Sequence, residues 1–276
     1  MSTLFSTRPL VSPAQPLDMS WQGSSSGTDY LGQYAVSTVQ EHCYGRRLIT
    51  DLGKLFCYSL SSGECYTGRG NAFQNTISSS ANGIDYRVLY AAQNKGDSSV
   101  QMLNAGSSAI AENYLAGGQI VIKLLTGSSD AALMMRTVVG NTAAVASSGI
   151  CTIYLDRPLD QAVTTSSYAF VMPSPFTNIK YESTSGTKSF AGPAAAYVSA
   201  TGYFFWTQMY GPYWLAPQSR VGTTAYYRTV YWRHDGSIDI GTQINSSVTD
   251  QRAGYILDNN ADSNGVTVIQ LTGMAI

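Results

Sequence analysis

A chain of 276 residues is long enough for one large domain or two smaller ones, with a core that needs no cross-links. Charged residues make up 12%, about half the usual share of roughly 25%, and 16 basic against 17 acidic side chains leave a net charge of -1. That balance argues against a phosphate-binding surface and so against a nucleic-acid partner, and it leaves solubility to hydroxyls, amides or coverage by neighbouring subunits.

The opening M-S-T-L-F-S-T-R-P-L-V-S-P-A-Q-P has no basic start followed by an apolar run, so no secretory signal is expected. Residues 1–40 carry Pro9, Pro13 and Pro16 and the run Gly23-Ser24-Ser25-Ser26-Gly27 among scattered apolar positions. Such a composition cannot bury a core, and it predicts an extended N-terminal arm, disordered or laid over a neighbouring subunit. The remainder, 41–276, reads as a β-rich domain, with sub-lobes expected at 41–105 and 106–276. No uninterrupted apolar stretch approaches the roughly eighteen residues of a membrane helix, so no membrane partner is expected.

From Leu48 onward the pattern is short extended pieces separated by turns. Lys54–Tyr58, Tyr86–Tyr90 and Val100–Leu103 are rich in aromatic and branched residues and read as strands. Gly63–Asn82, between the first two, reads as a long loop, and Ala109–Leu115 as a turn or two of helix. After Gly117-Gly118 the β pattern is clearest: Ile120, Ile122 and Leu124 alternate with Val121, Lys123 and Leu125, and Leu133–Val139 and Ile150–Leu155 follow as a meander. Pro158 in Leu155-Asp156-Arg157-Pro158-Leu159 stops the third of these strands, because it cannot donate to a ladder. Further strands are expected at Ala169–Met172, Ala196–Val198, Tyr203–Gln208, Ala225–Trp232, Ser237–Ile240 and Val266–Leu271. This spacing, with no long helical pattern between strands, predicts an all-β fold: an antiparallel sandwich or barrel with long loops.

Gly202–Gln218 concentrates aromatic side chains. Tyr203, Phe205 and Thr207 share one face of an extended strand and Phe204, Trp206 and Gln208 the other, so both faces need cover, as in a central strand. Gly211-Pro212 then predicts a corner, with a second extended piece at Tyr213-Trp214.

The residues that could carry chemistry are few. Cys43, Cys57, Cys65 and Cys151 lack C-x-x-C spacing and there are two histidines, His42 and His234, so no metal site is expected. Free buried thiols are the plain reading, with a disulfide among the first three cysteines left open. Asp258–Gly265 alternates oxygen ligands as a calcium loop does, but Ser263 and Ile269 stand where glycine and glutamate are needed. Adjacent His234 and Asp235 point to opposite sides of a strand, and Asp235-Gly236 suits a hairpin turn. Asn245-Ser246-Ser247 is a formal glycosylation acceptor. No nucleophile elbow, zinc-binding H-E-x-x-H or phosphate loop occurs, so no catalytic residue and no cofactor is expected. The 19 tyrosines and four tryptophans instead offer rigid amphipathic contact area. Tyr210, Tyr213, Trp214, Tyr226 and Tyr227 lead as candidate subunit-contact residues, and stacking on a glycan is the second use of such rings.

Four short stretches carry a resemblance. They are Gly45-Arg46-Arg47 ahead of Phe56 and Tyr58, Tyr114-Leu115-Ala116-Gly117-Gly118, the Leu155–Leu159 motif, and the run from Gly202 to Gln208 followed by Gly211-Pro212. In this order they resemble a family of tailed-bacteriophage virion structural proteins, the head decoration or cement proteins. The similarity covers roughly Gly45 to Ile240; the arm lies outside it, and the part beyond Pro212 is more aromatic, with Tyr226, Tyr227, Tyr231 and Trp232. The resemblance implies a non-enzymatic β-rich subunit, assembled in the host cytoplasm as a homo-oligomer, a trimer. It would sit on the capsid exterior and stabilise the shell of major capsid protein. A carbohydrate- or receptor-binding module of the capsid surface or tail is the alternative.

Overall fold

The computed structural model describes residues 32–50, 52–74, 87–124, 133–182, 188–217, 221, 228–240, 248–258 and 267–273. Along them run β1 (Arg47–Ile49), β2 (Leu55–Leu60), β3 (Asn71–Phe73), β4 (Arg87–Val88), β5 (Ser99–Asn104), β6 (Gln119–Lys123), β7 (Leu133–Asn141) and β8 (Gly149–Leu155). There follow β9 (Tyr168–Met172), a 3-10 turn (Pro175–Thr177), β10 (Ile179–Lys180), β11 (Phe190–Gly192), β12 (Phe204–Leu215), β13 (Thr229–Arg233), β14 (Ile238–Ile240), β15 (Val248–Asp258) and β16 (Thr267–Leu271). The fold is all-β with antiparallel ladders, as the period-two patterning implies. The described residues fall into two compact units, those of Asn75–Ser174 in one and those of Leu17–Gln74 and Pro175–Ile276 in the other. The sub-lobes expected at 41–105 and 106–276 divide the chain elsewhere. Among the described residues no helix is long and apolar enough to cross a membrane.

The unit within Asn75–Ser174 is a six-stranded sheet in the order β4-β9-β6-β7-β8-β5. A bridge from Leu89, just past β4, to Met102 of β5 brings its two edges together, so the sheet forms a nearly closed barrel. Inside lie Val100, Met102, Ile120, Ile122, Met134, Val138, Cys151, Ile153, Leu155, Ala169 and Val171, alternate residues of β5 to β9. Arg136 breaks that apolar series while only 5% exposed. Its Nε and Nη2 donate to the Pro158 carbonyl at 3.2 and 3.0 Å and its Nη1 to the Met135 carbonyl at 2.8 Å, and it pairs with Asp160 at 2.6 Å. The Leu155–Leu159 motif therefore does more than stop β8. Leu159 enters the core, and the Asp156 carboxylate accepts the Thr137 amide at 2.9 Å beside the register shift in β7.

The helix expected at Ala109–Leu115 does not form. Ile110 makes a strand-like bridge to Ala144 and successive turns follow it, because Asn113 adopts φ 59°. Buried Asn141 satisfies the groups a helix would have paired: its Oδ1 accepts the Leu115 amide at 2.8 Å and its Nδ2 donates to the Ala111 carbonyl at 2.9 Å. Gly117 at φ 76° then turns the chain into β6.

In the other unit a seven-stranded sheet runs β1-β2-β12-β16-β15-β13-β14, beside a three-stranded sheet β10-β3-β11. The first half of β12 is an interior strand, covered on both faces as its alternating aromatics require. Phe205 packs with Cys57, Phe176, Ile179 and Val198 on one side, and Trp206 with Phe56, Tyr58 and Ala195 on the other. Residues 41–46 cover the second face. His42 meets Tyr58 edge-on at 5.0 Å and lies 5.5 Å from Trp206, while Tyr44 stacks on Phe204 at 6.2 Å.

No corner separates two strands at Gly211-Pro212. β12 runs through it, shifting register between Gln208 and Tyr210 and exchanging β2 for β16 as its ladder partner. Gly211 takes φ 102°, and the buried Gln208 side chain supplies donors to the Tyr210 and Pro212 carbonyls at 3.2 and 3.1 Å. Beyond the bulge the sheet curls until Ile238 of β14 bridges Pro217, just past β12. Leu215, Val230, Trp232, Ile238, Ala253, Ile256, Ile269 and Leu271 fill this curl.

Several elements depart from expectation. β3 lies in the stretch read as a loop, β10, β11 and β15 were not anticipated, and Ala196–Val198 contributes a single bridge, Val198 to Cys65. At the end of the predicted arm, Ser37 pairs with Phe204 through two backbone hydrogen bonds of 3.0 and 2.7 Å. Residues 1–31, the glycosylation acceptor and residues 259–265 of the calcium-like loop lie outside the described residues.

Candidate interaction surface

The second half of β12 places side chains alternately in and out. Gly211 and Leu215 are buried; Tyr210, Pro212 and Trp214 are exposed on the opposite face, Tyr210 to 46% and Trp214 to 41%. Register carries this face across the sheet: Pro212 pairs with Gln270 and Gln270 with Tyr255, while Trp214 pairs with Val268. Exposed Tyr255 and Leu257 of β15 extend it. Trp214 is held in place by Gly68, where a Cβ would run into its ring, and the Gly68 carbonyl accepts the Ala216 amide at 2.8 Å.

Of the five residues expected at a subunit contact, Tyr210 and Trp214 share this face. Tyr213 lies on the inner side, half-buried, its hydroxyl donating to the Ala194 carbonyl at 3.1 Å. Burial, reinforced by Tyr34, pushes its phenol up to about 12. Tyr226 and Tyr227 lie outside the described residues. Tyr255 and Leu257 were missed because no strand was anticipated there.

A second aromatic group, unmarked by any local motif, gathers around Glu64. The Tyr66 and Tyr197 hydroxyls donate to the two oxygens of this carboxylate, at 3.0 and 3.3 Å. The Tyr66 ring meets Tyr181 edge-on at 4.7 Å and lies 5.6 Å from Tyr197. Arg69 sits 5.8 Å over Tyr181, donates to its hydroxyl at 3.2 Å and pairs with Asp235 at 3.0 Å. Asn71, fully buried, pins the loop beneath: its Oδ1 accepts the Tyr66 amide at 2.8 Å and its Nδ2 donates to the Tyr66 carbonyl at 2.9 Å.

His234 and Asp235 occupy the turn between β13 and β14, closed by Arg233 N to Ser237 O and Gly236 N to Arg233 O, both 2.9 Å, with Gly236 at φ 69°. Burial works to raise the Asp235 pKa, but the Ser237 hydroxyl and amide, then Arg69 and Arg233, outweigh it and hold the carboxyl below its ordinary value. This carboxylate braces a turn. The cysteines are free thiols, and burial pushes Cys57 and Cys65 up to about 12 and Cys151 up to about 11. Among the described residues no group of three or more His, Cys, Asp or Glu side chains is placed to hold a metal ion.

Comparison with known proteins finds no matching family model, no similar curated protein and no similar solved structure for this chain.

Proposed function

We propose that this chain is a non-enzymatic virion structural protein of the tailed-bacteriophage decoration, or cement, type. It forms a homotrimer on the head exterior and stabilises the shell of major capsid protein. The observation that carries the reading is the exposed sheet face of Tyr210, Pro212, Trp214, Tyr255 and Leu257. Rigid aromatic side chains at such a face give contact area at little conformational cost, and a low ionic content reduces the desolvation that contact requires. A protein that binds only the assembled shell stabilises it by mass action, and three linked attachment points multiply weak individual contacts.

The test adds purified chain to expanded heads that lack it. Cosedimentation, a raised temperature of head disruption and a trimeric mass in sedimentation velocity are expected. Trp214→Ala should weaken head binding or trimer formation by about 2 kcal/mol, near thirtyfold. Gly68→Val, which displaces the Trp214 ring without truncating it, should act in the same direction. A chain that remains a monomer, ignores heads and cleaves a surface polysaccharide would overturn the reading.

A further inference from the structure

We infer that the tyrosine group around Glu64 is a binding site for neutral glycans, a function beyond the virion role proposed above and independent of it. A pyranose presents an apolar face of C–H groups and a rim of hydroxyls, so its site needs exposed aromatic rings with fixed acceptors and donors at their edges. This surface offers both. Tyr197 is 51% exposed, Tyr66 and Tyr181 reach solvent beside it, and exposed Glu64 lies at their edge.

The polar groups are held before any ligand arrives. Each oxygen of Glu64 already accepts one tyrosine hydroxyl and retains capacity for a sugar hydroxyl. Hydrogen bonding to Glu64, then its negative charge, holds the Tyr66 phenol above its ordinary range, so it stays a donor. The loop carrying Tyr66 is anchored by Asn71, and Tyr181 is fixed from the far side by Arg69. Such preorganisation lowers the ordering cost of binding.

The charges select the ligand class. Glu64 brings a carboxyl group, and the Arg69 guanidinium over Tyr181 is already paired with Asp235 at 3.0 Å. Lys180, which packs beside Gly63, has its ammonium 3.9 Å from Glu182. An acidic sugar would therefore meet a carboxylate with the neighbouring cations engaged, whereas a neutral one meets only hydrogen-bonding groups.

The test is titration calorimetry of the full-length chain with maltohexaose, cellohexaose and chitohexaose, and with hexagalacturonate as the acidic comparison. Saturation-transfer NMR on the same samples reads contact between tyrosine rings and sugar C–H groups. At least one neutral hexamer should bind with a millimolar Kd or tighter, and Tyr197→Ala and Glu64→Ala should each weaken it about tenfold with unchanged near-UV circular dichroism. The inference is overturned if no neutral hexamer binds at about 10 mM, if both variants bind as the parent does, or if hexagalacturonate binds more tightly. Tyr197→Ala should still cosediment with heads, so loss of glycan binding and failure of the virion reading are separate results.

Discussion

His42 packs against the mutually contacting rings of Tyr58 and Trp206, with its Nδ1 3.2 Å from Nη1 of Arg46. Burial, and then the Arg46 charge, lowers its pKa below the ordinary 6.5. The unfolded chain therefore takes up this proton at a higher pH than the folded one, and stability falls as the pH drops through 6.5 toward the folded value. His42→Phe, which keeps a ring against Tyr58 and Trp206, should flatten the decline in melting temperature between neutral pH and pH 5, where roughly all unperturbed histidine is charged. A parallel decline in both proteins would show that the histidine is not the group responsible. Elsewhere single residues fix backbone position. A Cβ at Gly118 would run into the carbonyl oxygen of Met172, and one at Gly254 into that of Gln270, so these strands approach as closely as they do only because neither position carries a side chain.

β12 shows how one element serves two packing environments. Its first half is clamped between two apolar layers, and its second half forms one wall of the curled sheet while presenting Tyr210, Pro212 and Trp214 outward. The transition needs a bulge, and Pro212 has no amide to give its neighbour. Gln208 braces this stretch with its two side-chain hydrogen bonds across the bulge. Gln208→Leu should remove both hydrogen bonds, lowering stability by about 1 kcal/mol in urea unfolding with little change in m. Stability equal to that of the parent would mean that the bulge is held by Gly211 and the ladders alone. Gln251 plays a similar part at an edge: its Oε1 accepts the Phe190 amide at 2.6 Å and its Nε2 donates to the Phe190 carbonyl at 2.7 Å, replacing a strand neighbour for β11.

At the scale of the molecule, one compact unit is inserted in the sequence of the other. The chain leaves at Gln74 and returns at Pro175, and the Gln74 amide donates to the Asn178 carbonyl at 2.7 Å where β3 pairs with β10. Exit and return points are therefore close, which is the condition under which insertions are tolerated. Replacing 75–174 by a short Gly/Ser linker should leave a protein that unfolds cooperatively and keeps the near-UV signal of its packed aromatic residues. A non-cooperative transition would show that the remaining unit needs the insertion to fold.

The sequence by itself determined the class of the fold and much of the strand content. Side-chain alternation along an extended chain follows from covalent geometry, so the inward set Ile120, Ile122 and Leu124, and the two-faced aromatics of β12, are visible locally. Asp235-Gly236 was legible as a hairpin turn for the same reason: its backbone preference belongs to the dipeptide. Only the tertiary structure decided which strands pair, that β12 continues through Gly211-Pro212, and that Asn141 replaces a helix. Each of these depends on partners distant in sequence that must be closed into loops before they contribute. The same holds for the two surfaces. Trp214 was singled out by composition, but Gly68, which seats it, and Tyr255, which extends its face, come from other strands and loops. Glu64, Tyr66, Tyr181 and Tyr197 meet because Cys65 bridges Val198 and the Tyr181 amide donates to the Glu64 carbonyl at 2.7 Å, single backbone contacts too short to leave a periodic signal.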